Sequence, residues 1–383
     1  MNRKRKTLLF VFGTRPEAIK LAPVIRCLRD DGTFDVKVCL TGQHRELLEP
    51  FLAFFDIQPD IDLKLMIPGQ SLSHLASKTI AACADAYEHL EPDAVIVQGD
   101  TTSAFAASVA ASLRQVSVFH VEAGLRSYRR DAPFPEEINR VMISHLAELH
   151  FAHTESSSVN LKNEGISKQV FVVGNTVIDA LRWTLETLQK RKDVTSVATV
   201  DRGNGDRRYI LVTLHRRESA GEPLREICRA IRTLAESVED VEVVFPVHPN
   251  PHVRETVFPQ LGHLNNVRLI DPLPYPEFIL ALSKAALVIS DSGGVVEEAS
   301  SLGVPVLIVR QVTERHEAVT CGHARLVGSD HEAIVSGASA ALRSSTPRCA
   351  DRPLAGPFGD GRAAERILAI TKNHFACCKE KFP

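Results

Sequence analysis

The segment TLLFVFGTRPEAIK, residues 7–20, decides the fold class of this chain. It begins as an apolar strand, turns at Gly13 and enters a helix through Arg15, Pro16 and Glu17. Proline suits the first helical position, and a glutamate there complements the positive end of the helix dipole. Arg15 needs another explanation, because its charge opposes that dipole unless an anion or a carboxylate lies nearby. The turn also lacks the G-x-G-x-x-G pattern of a dinucleotide-binding loop, so we predict a strand–turn–helix unit with an anion near Arg15.

The same order of a short apolar run, a polar turn and a longer amphipathic segment recurs along the chain. In the first half the runs are VKVCLT (36–41), DAVIVQGD (93–100), VSVFHVEAG (116–124) and VFVVGNT (170–176). In the second half they are YILVTLHR (209–216), VEVVFPVHPN (241–250), VRLIDPLP (267–274), ALVISDSGG (286–294) and PVLIVR (305–310). Strands that alternate with helical segments predict parallel sheets with helices on both faces. We therefore expect an α/β protein with two doubly wound, Rossmann-like domains.

The length of 383 residues suits two domains, because a domain usually contains roughly 100–200 residues. A polar and charged stretch, residues 188–208, separates the two series of strands. The chain closes with GDGRAAERILAITKNHF, residues 359–375, which has the apolar face of an amphipathic helix. We expect an N-terminal domain of residues 1–173, joined by a C-terminal helix at 364–383, and a C-terminal domain of residues 174–363.

Composition excludes several classes of partner and site. With 45 Lys and Arg against 47 Asp and Glu, the net charge of −2 offers no broad field for nucleic acid or for a membrane surface. The 8 cysteines form no C-x-x-C pair, which argues against a structural zinc site and a secreted disulfide framework. His145, His150 and His153 are spaced too irregularly to share one helix face, so we expect no metal centre. The basic N-terminal run precedes too few apolar residues for a signal peptide, and we expect a cytoplasmic protein.

Carboxylates follow the strands of the first half. Asp100 comes directly after the run DAVIVQG, Glu122 lies at the end of VSVFHVEAG, and Glu136 lies in the helix start PEEINR. Ligands of α/β sheets bind beyond the carboxyl ends of the strands, and carboxylates that converge there suit proton transfer near neutral pH. Helix capping is the alternative role for Asp100 and Glu136, whereas no helix obviously begins at Glu122.

Cationic and hydrogen-bonding groups follow the strands of the second half. His215, Arg216 and Arg217 end the first of these strands, His248 follows the next, and Arg315 lies in TERHEAV, residues 313–319. Such groups suit an anionic ligand. Their charge is opposite to that of the carboxylates in the first half.

The most specific segment of the second half is ISDSGGVVEEAS, residues 289–300. Ser292, Gly293 and Gly294 follow the strand at a helix entrance, and Glu298 lies about one turn further on. Glycines let a ligand approach the backbone, and the exposed N–H groups and the helix dipole favour a phosphate. A purely structural N-cap at Ser292 is the alternative.

Taken in order from Leu9 to Gly361, a set of motifs strongly resembles the non-hydrolysing UDP-N-acetylglucosamine 2-epimerases. The motifs are FGTRPEAIKLAPV, TGQHRELL, QGDTTS, HVEAGLRS, PEEINR, GNTVIDAL, HRRES, PVHPNP, SDSGGVVEEA and TERHEAV. The resemblance implies two Rossmann-like domains of the glycosyltransferase-B type with a cleft between them. It also implies a cytoplasmic homodimeric isomerase of polysaccharide biosynthesis that needs no cofactor and acts on a UDP-sugar.

The implied reaction is reversible epimerisation of UDP-GlcNAc to UDP-ManNAc at carbon 2. No carbonyl group acidifies the hydrogen at carbon 2, and the sequence shows no nicotinamide fingerprint for a transient oxidation. Elimination of UDP to a 2-acetamidoglucal, followed by re-addition, is the remaining route and the course for which the family is known.

The resemblance also assigns roles to residues of this chain. Catalytic positions are Arg15, Asp100, Glu122, Glu136 and His215. Substrate-binding positions are Lys20, His248, Ser292, Gly293, Gly294, Glu298 and Arg315, with Glu298 at the ribose hydroxyls. In bacterial members a second UDP-GlcNAc is an allosteric activator, and the matching positions are Gln43, Gln70 and Arg216.

Other functions remain open on the sequence alone. They are a hydrolysing 2-epimerase that releases ManNAc and UDP, a 2-epimerase of a related UDP-sugar, a glycosyltransferase of the same fold, and a sugar-nucleotide sensor without turnover. The chain departs from the family's usual pattern at Leu214, Gln311, Val312 and His316, which affects the expected ligand geometry.

Overall fold

The computed structural model describes residues 5–42, 45–67, 69–190, 208–214, 221–238, 240–344, 354 and 356–377. The chain divides into two compact units. Unit 1 comprises Met1–Ala180 and Phe358–Pro383, and unit 2 comprises Leu181–Pro357. These divisions lie a few residues from the boundaries expected at 173/174 and 363/364, and the first falls inside a helix.

Unit 1 is built on a sheet of parallel strands. They are β1 (Thr7–Phe12), β2 (Asp35–Leu40), β3 (Ile61–Asp62), β4 (Ala94–Gln98), β5 (Ser117–Ala123), β6 (Leu149–Ala152) and β7 (Val170–Val172). Their order across the sheet is β3-β2-β1-β4-β5-β6-β7. The chain therefore reverses its direction of winding between β1 and β4, which is where ligands of such sheets bind.

Helices connect these strands. They are α1 (Arg15–Asp31), α2 (Arg45–Phe54), α3 (Leu72–Leu90), α4 (Thr102–Leu113), α5 (Glu136–Leu146), α6 (Glu155–Asn163) and α7 (Thr176–Lys190), the last of which contains the division between the units. All residues of β1 are buried, as expected for a central parallel strand that helices cover on both faces.

Unit 2 repeats the plan with its own sheet. Its strands are β8 (Arg208–Thr213), β9 (Val241–Pro246), β10 (Val267–Ile270), β11 (Leu287–Ser290), β12 (Val306–Ile308) and β13 (Ala324–Leu326), in the order β10-β9-β8-β11-β12-β13. Its helices are α8 (Glu222–Ser237), α9 (Pro251–Leu261), α10 (Tyr275–Lys284), α11 (Gly293–Ser301), α12 (His316–Thr320) and α13 (His331–Ser344). The direction of winding reverses between β8 and β11. The predicted α/β class with two Rossmann-like domains is confirmed.

The last helix, α14 (Ala363–Cys377), returns to unit 1. The carboxylate of Asp179 accepts hydrogen bonds from the backbone N–H groups of Ala363 at 3.1 Å and Ala364 at 2.8 Å, which satisfies two donors at the helix start. Gly174 and Gly359 meet there, and a Cβ atom on Gly359 would lie only 3.1 Å from the Cα of Gly174. None of the helices described above combines the length and apolar character that crossing a membrane requires.

Candidate active site

The turn between β1 and α1 is organised by the buried carboxylate of Glu17. Its Oε2 accepts hydrogen bonds from the backbone N–H groups of Gly13 at 3.1 Å and Thr14 at 2.8 Å. Its Oε1 accepts a hydrogen bond from the hydroxyl of Thr101 at 2.7 Å, in the turn after β4. Burial raises the pKa of the Glu17 carboxyl, and these hydrogen bonds oppose the rise. Glu17 thus caps α1 and also ties together two strand ends, beside Arg15, which begins α1 and is partly exposed.

Glu122 lies at the centre of the candidate site, at the carboxyl end of β5. Its φ of 64° is in the left-handed region, and the pairing of β5 with β6 shifts register between Val121 and Ala123. Such a conformation costs about 1–3 kcal/mol in a residue that is not glycine, and strain of this kind clusters at functional sites. The register shift is that of a β-bulge, which redirects a side chain at the end of a strand.

Both carboxylate oxygens of Glu122 accept hydrogen bonds from buried donors. The ammonium of Lys20 donates to Oε1 at 2.5 Å, and the amide of Gln98 donates to Oε2. The side chains of Lys20 and Glu122 are only 9% and 6% exposed, so water screens this ion pair little. The helix that begins at Arg15 therefore delivers a second cation, Lys20, to the carboxylate at the end of β5.

Asp100 and Glu136 differ in their surroundings. Asp100 Oδ2 lies 2.6 Å from Nη2 of Arg140, and its backbone carbonyl accepts a hydrogen bond from the Asn139 amide at 2.9 Å. The N-cap of α4 is Thr101, whose hydroxyl accepts from the Ala104 N–H, so capping is not the role of Asp100. Glu136 is the first residue of α5. Within the ranges that the structure describes, its Oε2 is enclosed and accepts no hydrogen bond.

These contacts connect the elements that carry the predicted carboxylates of unit 1. Glu17 links the Arg15 turn to the Asp100 turn, Asn139 links α5 to the Asp100 turn, and Gln98 links the end of β4 to Glu122. Sequence analysis singled out neither Gln98 nor Arg140. In the sequence, Gln98 could have been recognised as the one polar residue of the run AVIVQ, at its last position. The sequence PEEINR, which places Arg140 three residues after Glu137, is the signal for Arg140, whose Nη1 lies 3.1 Å from Glu137 Oε2.

In unit 2, the turn after β11 leads into α11 through Ser292. Ser292 occupies the N-cap position, but its side chain makes no capping hydrogen bond, so the purely structural explanation of this serine does not hold. The hydroxyl of Ser290 instead accepts the Ser292 N–H at 3.0 Å and lies 2.7 Å from the hydroxyl of Thr213 at the end of β8. A Cβ atom on Gly294 would meet no described atom within 4 Å, so this helix entrance has open space beside it.

Arg315 lies directly over Gly293. A Cβ atom on Gly293 would lie 2.6 Å from the guanidinium carbon of Arg315, which explains why this position has no side chain. Arg315 is 9% exposed, and its Nε donates to Glu297 Oε1 at 2.9 Å. Glu314 lies 3.5 Å from Arg315 Nη1 and also pairs with Arg310 at 3.0 Å. Carboxylates thus hold the Arg315 guanidinium beside the start of α11, where helix dipole and cation together favour an anion.

The remaining predicted positions are less closely connected. Glu298 is buried and accepts a hydrogen bond from the Tyr275 hydroxyl at 2.9 Å. His248 is exposed after β9, and its Nδ1 accepts the Asn250 N–H at 3.2 Å. Gln70 is partly exposed, and its amide donates to the sulfur of Met66 at 3.5 Å. Three predicted residues lie outside the described residues: Gln43, His215 and Arg216. No group of three or more potential metal ligands occurs in the described part of the chain.

The chain matches the family model described as UDP-N-acetylglucosamine 2-epimerase over residues 26–372. The UDP-N-acetylglucosamine 2-epimerase of Escherichia coli (strain K12) is 45% identical over 370 residues, which cover 96% of this chain and 98% of the relative. The chain belongs to the UDP-N-acetylglucosamine 2-epimerase family. The family resemblance inferred from the motifs is confirmed.

Solved structures of this epimerase family share the fold. The UDP-GlcNAc 2-epimerase of Neisseria meningitidis, bound to UDP-GlcNAc, superposes with a TM-score of 0.90 at 42% identity, covering 96% of this chain and 100% of that chain. The Methanocaldococcus jannaschii enzyme, in complex with UDP-GlcNAc and UDP, gives a TM-score of 0.83 at 33% identity, covering 96% and 99%. A glycosyltransferase structure at 16% identity, with a TM-score of 0.56, is similar in fold alone. The glycosyltransferase-B type predicted for this epimerase-family chain agrees with that likeness.

Proposed function

We propose that the protein interconverts UDP-GlcNAc and UDP-ManNAc reversibly and without net hydrolysis. The observation that carries the proposal is the buried Glu122 carboxylate, held by Lys20 and Gln98 in a strained conformation at the end of β5. A buried and fixed carboxylate suits proton transfer at carbon 2, and the chain belongs to a family of 2-epimerases.

The reaction proceeds by elimination and re-addition. A base takes the proton from carbon 2 while the bond between carbon 1 and the UDP oxygen breaks, and its electron pair leaves with UDP. Carbons 1 and 2 of the resulting 2-acetamidoglucal share a double bond. Protonation of carbon 2 from the opposite face and attack of the UDP oxygen at carbon 1 then give UDP-ManNAc. No redox partner is needed, because no atom is oxidised overall.

The proton-transfer groups in this proposal come from unit 1. Asp100, Glu122 and Glu136 serve the two faces of carbon 2, and their different partners support a division of roles. Glu122 and Asp100 accept hydrogen bonds from cationic side chains, whereas one oxygen of Glu136 accepts none within the described ranges. Arg15 and His215 stabilise the departing UDP, and Lys20 binds the substrate beside Glu122.

Unit 2 binds UDP in this proposal. The β-phosphate lies at the start of α11, where backbone N–H groups and the open space beside Gly294 admit an anion. The other contacts are His248, Ser292, Gly293, Arg315 and, at the ribose hydroxyls, Glu298. Both units then contribute groups that bind the substrate, and the bound state must keep the glucal from water.

Nuclear magnetic resonance of the sugar in deuterated water tests this function. Purified protein is incubated with UDP-GlcNAc, and we expect UDP-ManNAc and UDP-GlcNAc that both carry deuterium at carbon 2. Free ManNAc with UDP would identify the hydrolysing reaction instead. An unchanged, unlabelled sugar would favour a sensor or a glycosyltransferase. If only another UDP-sugar were converted, the protein would be a 2-epimerase of that sugar.

We further propose that the protein is a cytoplasmic homodimer of a polysaccharide pathway, activated by a second UDP-GlcNAc. Gln43, Gln70 and Arg216 contact that activator. The check is the rate of the reverse reaction, which starts from UDP-ManNAc and should rise when a trace of UDP-GlcNAc is added. If added UDP-GlcNAc only lowers the rate, by competing with UDP-ManNAc, it is not an activator of this protein. Light scattering of the purified protein gives the number of subunits.

A further inference from the structure

The centre of β5 holds a histidine that the proposed chemistry does not use. His120 is completely buried, and its Nε2 lies 2.8 Å from the backbone carbonyl oxygen of Gly99. A carbonyl oxygen only accepts hydrogen bonds, so Nε2 carries the proton. Burial, with smaller contributions from His150 and Arg126, lowers the pKa of His120 to about 4, although the hydrogen bond to Gly99 opposes the decrease. At neutral pH the ring is therefore uncharged and serves as a donor through Nε2.

The other ring nitrogen, Nδ1, is buried and makes no hydrogen bond to a described residue. A buried polar atom without a partner destabilises the fold, and an apolar side chain of similar size would avoid that cost. A histidine at this place is therefore best explained by its donor at Nε2.

The donor at Nε2 fixes the peptide that joins Gly99 to Asp100. Gly99 has a φ of 67°, and its N–H donates to the carbonyl of Val121 at 3.0 Å. Both polar groups of Gly99 are thus held by β5, one by its backbone and one by His120. The neighbours of Gly99 are Gln98, which donates to Glu122, and Asp100, which pairs with Arg140.

The Gly99 turn also lies directly against the Glu122 carboxylate. A Cβ atom on Gly99 would be 3.6 Å from Glu122 Oε2, which is ordinary van der Waals contact. A rotation of this turn would move the Gln98 amide away from Oε2 and change the direction of Asp100. The position of two proposed catalytic carboxylates therefore depends on one peptide.

We propose that His120 is a positioning residue, whose Nε2–H fixes the Gln98–Asp100 turn and thereby orients Glu122 and Asp100. The inference rests on the proposed function, since it assigns His120 a part in that reaction. His120 itself touches no reacting atom. Its loss should lower kcat through misplaced carboxylates and leave nucleotide binding nearly unchanged, because the proposed UDP contacts lie mainly on unit 2.

A matched pair of substitutions separates the donor from the space that the ring fills. His120→Gln keeps an N–H donor at about the distance of Nε2, whereas His120→Met has similar length and no donor. We expect His120→Met to lower kcat about tenfold or more with KM and UDP affinity within about threefold, since small displacements of reacting groups cost rate. His120→Gln should restore most of kcat.

The control is Tyr87→Phe. Tyr87 also donates from a buried side chain to a backbone carbonyl in unit 1, that of Ala107 within α4, at 3.1 Å. Tyr87→Phe should lower the melting temperature and leave kcat unchanged. Equal kcat in His120→Met and wild type would overturn the proposal. Equal losses in the Gln and Met variants with matching melting temperatures would also overturn it, because packing would then explain both.

Wild-type protein supplies an independent measurement if His120→Met does not fold. In ¹⁵N spectra of histidine-labelled protein at pH 7, His120 should show the neutral tautomer protonated at Nε2. A charged ring, or a proton on Nδ1, would refute the donor role whatever the activity. Failure of the proposed function has a different signature, because wild type itself would then form no UDP-ManNAc with deuterium at carbon 2.

Discussion

Glu122 combines a buried charge with a strained backbone, and its carboxylate accepts hydrogen bonds from two donors. Its left-handed conformation persists because Lys20 and Gln98 hold both carboxylate oxygens. Sequence analysis identified the carboxylate, because it ends an apolar strand where no helix begins. It did not identify the ion pair with Lys20 or the positive φ, since partners 102 residues apart and a bulge leave no local pattern.

Glu122→Gln should lower turnover roughly a thousandfold, because the amide cannot accept the proton from carbon 2. UDP affinity should stay within about threefold, as measured by calorimetry. The variant also removes the Glu122 charge from its buried ion pair with the Lys20 ammonium, so the free energy of unfolding should fall by about 3 kcal/mol in denaturant titrations.

The double variant Lys20→Met with Glu122→Gln is the control for that prediction. It removes both charges together, so it should recover most of the lost stability while turnover stays abolished. Turnover near the wild-type rate in Glu122→Gln would remove this residue from the chemistry.

At the scale of elements, the two glycines at the start of α11 have different surroundings: a side chain on Gly293 would meet Arg315, whereas one on Gly294 would meet no described atom. The order strand, serine, two glycines and helix was predicted from the sequence. The contact between Gly293 and Arg315 was not, since it joins residues on different elements. A methyl group on Gly293 would meet the Arg315 guanidinium, which buried carboxylates hold, so Gly293→Ala should displace the guanidinium and weaken its ion pairs.

Gly293→Ala should therefore weaken UDP binding about tenfold, the effect of one lost charge-assisted hydrogen bond, and should also lower the melting temperature because the buried ion pairs of Arg315 are weakened. Gly337→Ala is the matched control, because it adds a methyl group to α13 of the same unit, 3.3 Å from a flexible leucine side chain. Its UDP affinity should equal that of wild type. If Gly293→Ala bound UDP with unchanged affinity, Arg315 would not contribute to nucleotide binding.

The cap of α14 should make stability depend on pH. Burial raises the pKa of Asp179 from 3.8 to about 6, although its hydrogen bonds to Ala364 and Ala363 oppose the rise. Between these values the folded state binds more protons at Asp179 than the unfolded state does, so the contribution of Asp179 to stability is greatest below about pH 4 and falls as the pH rises to about 6. The difference amounts to at most about 3 kcal/mol.

Asp179→Asn removes this titration. The free energy of unfolding of wild type minus that of the variant should therefore decrease from pH 4 to pH 7, as measured by denaturant titrations at each pH. A difference that stays constant or increases would show that Asp179 does not titrate as the buried position implies.

For the whole molecule, the architecture follows from the alternation of apolar runs and amphipathic segments, because central parallel strands are buried on both faces. The short edge strands β3 and β13 and the inner strand β6 were not predicted, since Ile61–Asp62, Ala324–Leu326 and Leu149–Ala152 are too brief to form a clear apolar run. The division between the units lies inside α7, where a continuous helix gives no change in composition. The catalytic roles came from the family resemblance, and contacts such as that of His120 with Gly99 required the structure.

The central claim is that epimerisation proceeds by departure and return of UDP, and an oxygen isotope tests it most directly. UDP-GlcNAc is prepared with ¹⁸O in the oxygen that bridges carbon 1 and the β-phosphorus, and ³¹P resonance of the recovered sugar nucleotides follows the label. In this account the bond breaks and the terminal phosphate of the released UDP rotates before UDP returns, so the label spreads to the non-bridging β-phosphate oxygens as UDP-ManNAc forms. UDP-ManNAc that forms with the label wholly in the bridge would contradict the account.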